Sequence, residues 1–140
     1  MFDGVNLVVR DMEAAVAFYR LLGFEVPDTD PEWQAHHRNV RTGGVDFDLD
    51  SDTFASKWNQ GWPGAATGGM GVLGFRVASR DDVDAVYARM TRAGYRGQQE
   101  PYDAFWGARY AIVEDPDGNA VGIMSPSDDG MRSMPETPEA

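Results

Sequence analysis

Phe105-Trp106-Gly107-Ala108-Arg109-Tyr110-Ala111-Ile112-Val113-Glu114-Asp115-Pro116-Asp117-Gly118-Asn119-Ala120-Val121-Gly122-Ile123-Met124 is the stretch whose reading decides the fold. Two alternating apolar runs, Arg109 to Val113 and Ala120 to Met124, flank a turn in which each residue type has a geometric task. Pro116 presets φ near −65°, Asp115 can accept bonds from backbone amides two residues on, and Gly118 tolerates positive φ. The pattern predicts a β-hairpin.

Upstream of the hairpin, Gly71 to Ala78 reads as a strand and Ser79 as a helix cap with Asp82 at the third helical position. Val83, Val86, Tyr87 and Met90 then fall on one helical stripe, and Gly94 follows the helix. The first half has the same plan. Val5, Leu7 and Val9 share a strand face, Asp11 caps a helix striped by Met12, Ala15, Val16 and Tyr19, and Gly23 ends it. Phe24 to Val26 starts the next strand, Pro27 to Pro31 is a loop, and Trp33 to Arg41 with Val45 to Asp50 forms a hairpin about Gly43-Gly44. Arg10-Asp11, Ala15-Val16 and Gly23-Phe24 return as Arg80-Asp81, Ala85-Val86 and Gly94-Tyr95, an offset of roughly 70 residues that marks an internal duplication. Each half reads as strand, helix, three strands. Between them, Asp52 to Trp58 is read as a short helical turn and Asn59 to Gly69 as a flexible connector, of a length that is usually either functional or disordered.

The chain has 140 residues, no cysteine and a net charge of −11. One domain is the simplest reading, and disulfides, thiolate metal sites and cysteine nucleophiles are excluded. The acidity argues against binding a nucleic-acid backbone, and no apolar run is long enough to span a membrane. The start of the sequence has neither the basic nor the apolar part of a signal peptide, so a cytoplasmic location is expected. Ser125 to Ala140 lacks periodicity and reads as a disordered tail.

Trp-Gly-x-Arg, a strand, Asp-Pro-Asp-Gly-Asn and a second strand together resemble the closing hairpin of the vicinal-oxygen-chelate superfamily, which includes glyoxalases, extradiol dioxygenases and bleomycin-resistance proteins. Ala93-Gly94-Tyr95 through Trp106-Gly107 and Arg109 to Val113 are similar to the mitomycin-resistance proteins of its drug-binding branch. The resemblance implies an α+β fold in which two βαβββ modules form a curved mixed sheet around a cleft, with helices on the outer face. It places the domain at 1–126, with module one at about 2–52, a connector at about 53–69, module two at about 70–126, and a flexible acidic tail at 127–140. A homodimer is expected.

Enzymes of the superfamily hold a divalent metal on inward strand faces. The resemblance puts those four positions on Gly4, Asp48, Val72 and Gly122, of which only Asp48 carries a ligating side chain. One carboxylate is too few for a mononuclear site. His36 and His37 are adjacent, so at most one faces the cleft, and both are read as surface or loop-end residues. No paired carboxylate and histidine is visible. The expectation is therefore that the protein uses no metal or other cofactor, and the reading leans away from an enzyme without excluding one.

Period-2 counting from the four ligand positions places Asn6, Asp46, Asp50, Gly74, Arg76, Ala120 and Met124 on inward faces, with Gly4, Gly74, Ala120 and Gly122 leaving space. Val5, Leu7, Phe47, Leu49, Leu73, Phe75, Val121 and Ile123 are expected beneath the helices. Trp106, Phe105, Tyr102 and Trp33 are candidates for stacking on a planar ligand, and Trp58 and Trp62 for covering it. Asn6, Asp48, Arg76 and Met124 complete the expected binding set. The partner is then a planar hydrophobic small molecule such as an antibiotic, bound without metal and sequestered to give resistance. The alternatives are a metal-dependent lyase, isomerase or dioxygenase of the same superfamily, and a non-catalytic module with a vestigial pocket.

Overall fold

The computed structural model describes residues 2–64 and 71–136. Its elements run β1 (Gly4–Val9), α1 (Met12–Leu22), β2 (His37–Val40), β3 (Asp46–Ser51), α2 (Asp52–Trp58), β4 (Val72–Arg76), α3 (Arg80–Arg92), β5 (Gly97–Asp103), β6 (Arg109–Glu114) and β7 (Ala120–Met124), and a 3-10 turn covers Asp129–Met131. They form two compact units. One holds the described residues through 64 together with Pro116–Gly118, and the other holds the remainder.

The α+β class and the duplicated module are present, and each module builds its own mixed sheet. The strand orders are β1-β3-β2 and β4-β7-β6-β5. In both, the strand before the helix lies parallel to the last strand of the module, β1 beside β3 and β4 beside β7. A parallel neighbour requires a crossover connection, and α1 and α3 supply it.

Local chemistry fixes those helices. Asp11 accepts the Ala14 N–H at 3.1 Å at the start of α1, and Gly23 ends it at φ 121°, a conformation costly for any residue with a Cβ. Ser79 accepts the Asp82 N–H at 3.2 Å and donates to the Asp82 carboxylate at 2.9 Å at the start of α3. Most of each predicted stripe is buried, Met12, Ala15, Val16 and Tyr19 on α1 and Val83, Val86 and Met90 on α3, while Tyr87 is half-buried. Tyr19 meets Phe47 edge-to-face at 5.2 Å, tying α1 to β3. Phe47, Leu49, Val121 and Ile123 are buried as expected, while Val5, Leu7, Leu73 and Phe75 are only half-buried.

Four details differ from the sequence reading. Phe24 to Val26 forms no strand beyond a single bridge from Glu25 to Arg41. Arg20 takes the Val26 carbonyl and Arg38 the Pro27 carbonyl at 2.9 Å, and Pro27 has no N–H to extend a ladder. The strand expected from Trp33 begins only at His37, because Asp30 accepts the Trp33 and Gln34 amides at 2.8 and 3.2 Å and winds the chain into turns. In the closing hairpin, Asp115 reaches beyond the expected neighbours and also bonds the Asn119 amide, four residues on, at 2.8 Å, with Gly118 at φ 83°. Finally, residues 128–133 are not a free tail: the Asp128 amide donates to the Gly107 carbonyl at 2.9 Å and the Ser133 amide to the Phe105 carbonyl at 2.8 Å. Backbone groups left open by the loop before β6 thus find partners in this segment.

Candidate functional site

In the second unit, strand register collects three of the ten expected binding residues, Arg76, Met124 and Tyr102, into one row. Arg76 on β4 lies opposite Met124 on β7, Met124 opposite Tyr110 on β6, and Tyr110 opposite Tyr102 on β5. Two register shifts along β5 keep Tyr102 in that row despite its irregular pairing. Trp106 stands over one end. Its ring lies 5.2 Å from Tyr110, 6.5 Å from Tyr102 and 5.1 Å from Phe105, each edge-to-face. Edge-to-face rings turn a positive edge toward a negative face, so the cluster is held in register as well as packed.

The cluster is only part covered: Phe105 keeps 46% and Tyr102 38% of its surface exposed. Trp106 Nε1, in contrast, is buried and has no hydrogen-bond acceptor among the described residues. A buried donor without a partner costs about 1–3 kcal/mol, so an oxygen offered to this indole would gain correspondingly. Burial pushes the Tyr110 phenol above its ordinary range, with Tyr102 adding to the shift, so it stays a neutral donor at physiological pH. Tyr110 was not anticipated from sequence, although hairpin register sets it opposite Met124. Its hydroxyl would lie 2.5 Å from a Cβ at Gly122. The expectation that Gly122 leaves room for ligand is therefore wrong: it leaves room for Tyr110. Gly74 does face open space.

Arg109, in the Trp-Gly-x-Arg motif, serves the frame. It donates to Asp84 of α3 at 2.9 Å and to Asp103 of β5 at 3.2 Å, and Asp103 also pairs with Arg80. The Arg109 hydrogen bond holds the Asp84 carboxyl below its ordinary value of 3.8, and the Arg80 hydrogen bond does the same for Asp103. A depressed carboxylate stabilises the fold at all pH values above its unfolded value and loses that contribution as pH falls through the folded one. Melting temperature should thus fall as pH drops below about 4, and Asp84→Asn should flatten that acid limb. Arg109 and Asp84 are both part exposed, so the loss from Asp84→Asn at neutral pH is small. Melts of the two proteins from pH 7 to 2 would show the difference, and parallel acid limbs would refute it.

The first unit holds a different arrangement. Asp50, fully buried on β3, is bonded by His37 Nδ1 at 2.5 Å and Asn6 Nδ2 at 2.8 Å. Two sequence expectations fail here. His37 is not an idle surface histidine, and a carboxylate–histidine pair does exist. A hairpin turning at Gly43-Gly44 sets His37 and Asp50 opposite each other, each six residues from the turn, and that spacing was the available signal. With its Nδ1 hydrogen given to Asp50, the ring keeps a lone pair on Nε2 and can accept a proton there. The aspartates expected on the inward face of β3 differ in exposure. Asp46 is exposed, Asp48 is half-buried and takes a bond from Asn39 at 2.9 Å, and Asp50 is interior.

Trp33 meets Phe54 of α2 edge-to-face at 5.3 Å, Trp58 is half exposed, and the Trp62 indole donates to Asp52 at 2.5 Å. The remainder of the connector in which Trp58 and Trp62 were expected to form a cover, residues 65–69, lies outside the described residues.

The residues at the family's metal positions do not fit a metal. Gly4, Val72 and Gly122 offer no donor, a Cβ at Gly4 would collide with the Asp46 carbonyl, and Asp48 is engaged by Asn39. No three His, Asp or Glu side chains converge among the described residues. No helix of the described residues is long and apolar enough to cross a membrane.

Comparison with known proteins agrees with this geometry. No curated protein sequence matches the chain significantly. Among solved structures, a glyoxalase/bleomycin resistance protein/dioxygenase family enzyme from Burkholderia phytofirmans PsJN superposes with a TM-score of 0.75 at 23% identity, covering 88% of this chain and 96% of its own. Lactoylglutathione lyase from Agrobacterium tumefaciens gives 0.67 at 22%, covering 89% and 92%. TioX from Micromonospora sp. ML1 gives 0.63 at 24%, covering 89% and 98%. At these identities the likeness shows the fold. The family assignment comes from residues 2–123, nearly the whole chain, which match the Glyoxalase/Bleomycin resistance protein/Dioxygenase superfamily, and the protein belongs to that superfamily.

Proposed function

We propose that the protein binds a planar, hydrophobic small molecule without metal and acts by sequestering it, as an antibiotic-resistance protein does. The observation that carries this is the row Arg76, Met124, Tyr110 and Tyr102, topped by Trp106 with a buried, unpartnered N–H. Such a row offers ring faces and edges for stacking, a flexible thioether that adapts to shape, and polar groups at few points, as ligand sites commonly do. The resemblance of the Trp106 segment to mitomycin-resistance proteins supports the same reading. In this reading the site serves a cytoplasmic homodimer.

The test is tryptophan fluorescence and thermal shift of metal-stripped protein with mitomycin C and bleomycin, and with nickel, zinc and manganese in parallel. Ligand at one hundred times Kd should add about 2.7 kcal/mol, or several degrees of melting temperature. Trp106→Ala should abolish the shift. Stoichiometric stabilisation by metal with both drugs inert would overturn the reading.

One observation favours a second reading, a proton-transferring enzyme of the superfamily: the His37–Asp50 pair, in which a buried carboxylate fixes the imidazole tautomer. Turnover of any substrate that survives metal removal but not His37→Gln would support it over sequestration.

A further inference from the structure

We infer that the first unit carries a separate site for a single aromatic ring bearing an ionised oxygen, a phenolate or a ring carboxylate. The site is a cavity of about 260 Å³ lined by Glu32, Trp33, His36, Thr53, Phe54 and Lys57. An aliphatic and aromatic cavity of about 150 Å³ suffices for benzene, whereas drug-sized sites start near 300 Å³. The volume therefore suits one substituted ring rather than the larger planar molecule assigned to the Trp106 row. Trp33 and Phe54 form its walls at 5.3 Å between ring centroids and 71° between planes. Trp33 leaves 43% of its surface exposed among the described residues.

A hydrogen-bond chain assigns the polar end. Ser51 Oγ accepts the Phe54 N–H at 3.0 Å, which leaves its own hydrogen for His36 Nδ1 at 2.8 Å. Both groups are satisfied when His36 accepts at Nδ1 and carries its hydrogen on Nε2, so the ring presents a donor to its surroundings. The Lys57 side chain lines the same cavity and adds a cation. A donor and a cation beside two aromatic walls select an acceptor oxygen on a ring. Glu32 at the same cavity acts against ligands with more than one negative charge.

This inference does not depend on the reading of the Trp106 row, and its experiment separates the two. The probe is 4-nitrophenol, held at the pH where half of it is ionised in buffer. A site that favours the anion will increase the phenolate absorbance as protein is added, saturating at one probe per chain. Trp33→Ala should weaken binding about tenfold, the loss of one aromatic contact. Lys57→Ala should retain binding, read by fluorescence, but lose the gain in phenolate, and 4-nitrobenzoate should compete for the same site. Trp106→Ala should leave the titration unchanged. Absence of a saturable change in the wild-type protein, or an unchanged affinity in a folded Trp33→Ala variant, would overturn the inference. A change abolished by Trp106→Ala would overturn it too, by placing the probe at the other site. Trp33 is largely solvent-facing, and circular dichroism of the variant checks its folding; His36→Gln gives a second variant in which affinity should also fall.

Discussion

Gly107→Ala will lower unfolding free energy by about 3 kcal/mol and the melting temperature by roughly 10 °C, more than any other single-methyl addition to the loop before β6. Two costs coincide at this position. Gly107 adopts φ 92°, where a residue with a Cβ is strained, and a Cβ there would collide with the backbone carbonyl of Asp128. Neither can be relieved locally. The Gly107 carbonyl accepts from the Asp128 amide at 2.9 Å and from Arg80 at 3.0 Å, and its own amide donates to Ala104 at 3.0 Å, so moving the loop breaks three bonds together. Because Trp106 precedes Gly107, the variant should also lose any ligand response of the aromatic row while the first unit keeps its 4-nitrophenol response. The control is Gly74→Ala, where an added Cβ meets nothing within 4 Å and the change should stay within about 1 kcal/mol. Equal melting temperatures for the two variants would show that the loop is not constrained as described.

The features legible from sequence are those set by local chemistry and period counting. Asp11 and Ser79 announced their helices because capping requires a short side-chain acceptor three residues before a free amide. Phe47, Leu49, Val121 and Ile123 could be placed because strand faces alternate, and the closing hairpin because Pro116 restricts φ and Gly118 tolerates a positive one. What stayed hidden depended on which side chain wins a contested partner. The strand expected at Phe24 to Val26 failed because Arg20 captured the Val26 carbonyl and Arg38 that of Pro27 just beyond it, a choice that hydrophobic alternation within the segment does not register. Gly122 looked like open space because a glycine is silent about its neighbours, and only the folded structure reveals that Tyr110 fills it. Trp106 was found, but its unpartnered N–H is a property of the folded state. Residues 128–133 looked like a tail because their anchors are backbone bonds to the Phe105 and Gly107 carbonyls, which composition cannot register.

The same limitation hid the pair with the largest expected effect in the first unit. His37→Ala will cost about 2 to 3 kcal/mol, because it leaves the Asp50 carboxylate in the interior with Asn6 as its remaining side-chain partner. The imidazole is 41% exposed, so water can replace part of what is lost, which keeps the cost below that of breaking a wholly buried ion pair. Asp50→Asn should cost less. An amide keeps an oxygen for Asn6 and offers an N–H to His37 Nδ1, moving the ring hydrogen to Nε2 instead of abandoning the contact. The double variant His37→Ala with Asp50→Asn should recover part of the loss, since an uncharged amide tolerates the vacated space better than a carboxylate does. Chemical denaturation of the four proteins gives the coupling, expected near 1 to 2 kcal/mol, and a cycle that sums to zero would show that the two side chains do not act as a pair. Nitrogen-15 spectra of the histidine rings supply the functional half of the test. Wild-type His37 should carry its hydrogen on Nδ1 and Asp50→Asn should transfer it to Nε2, removing the lone pair on which any proton-accepting role of this residue depends.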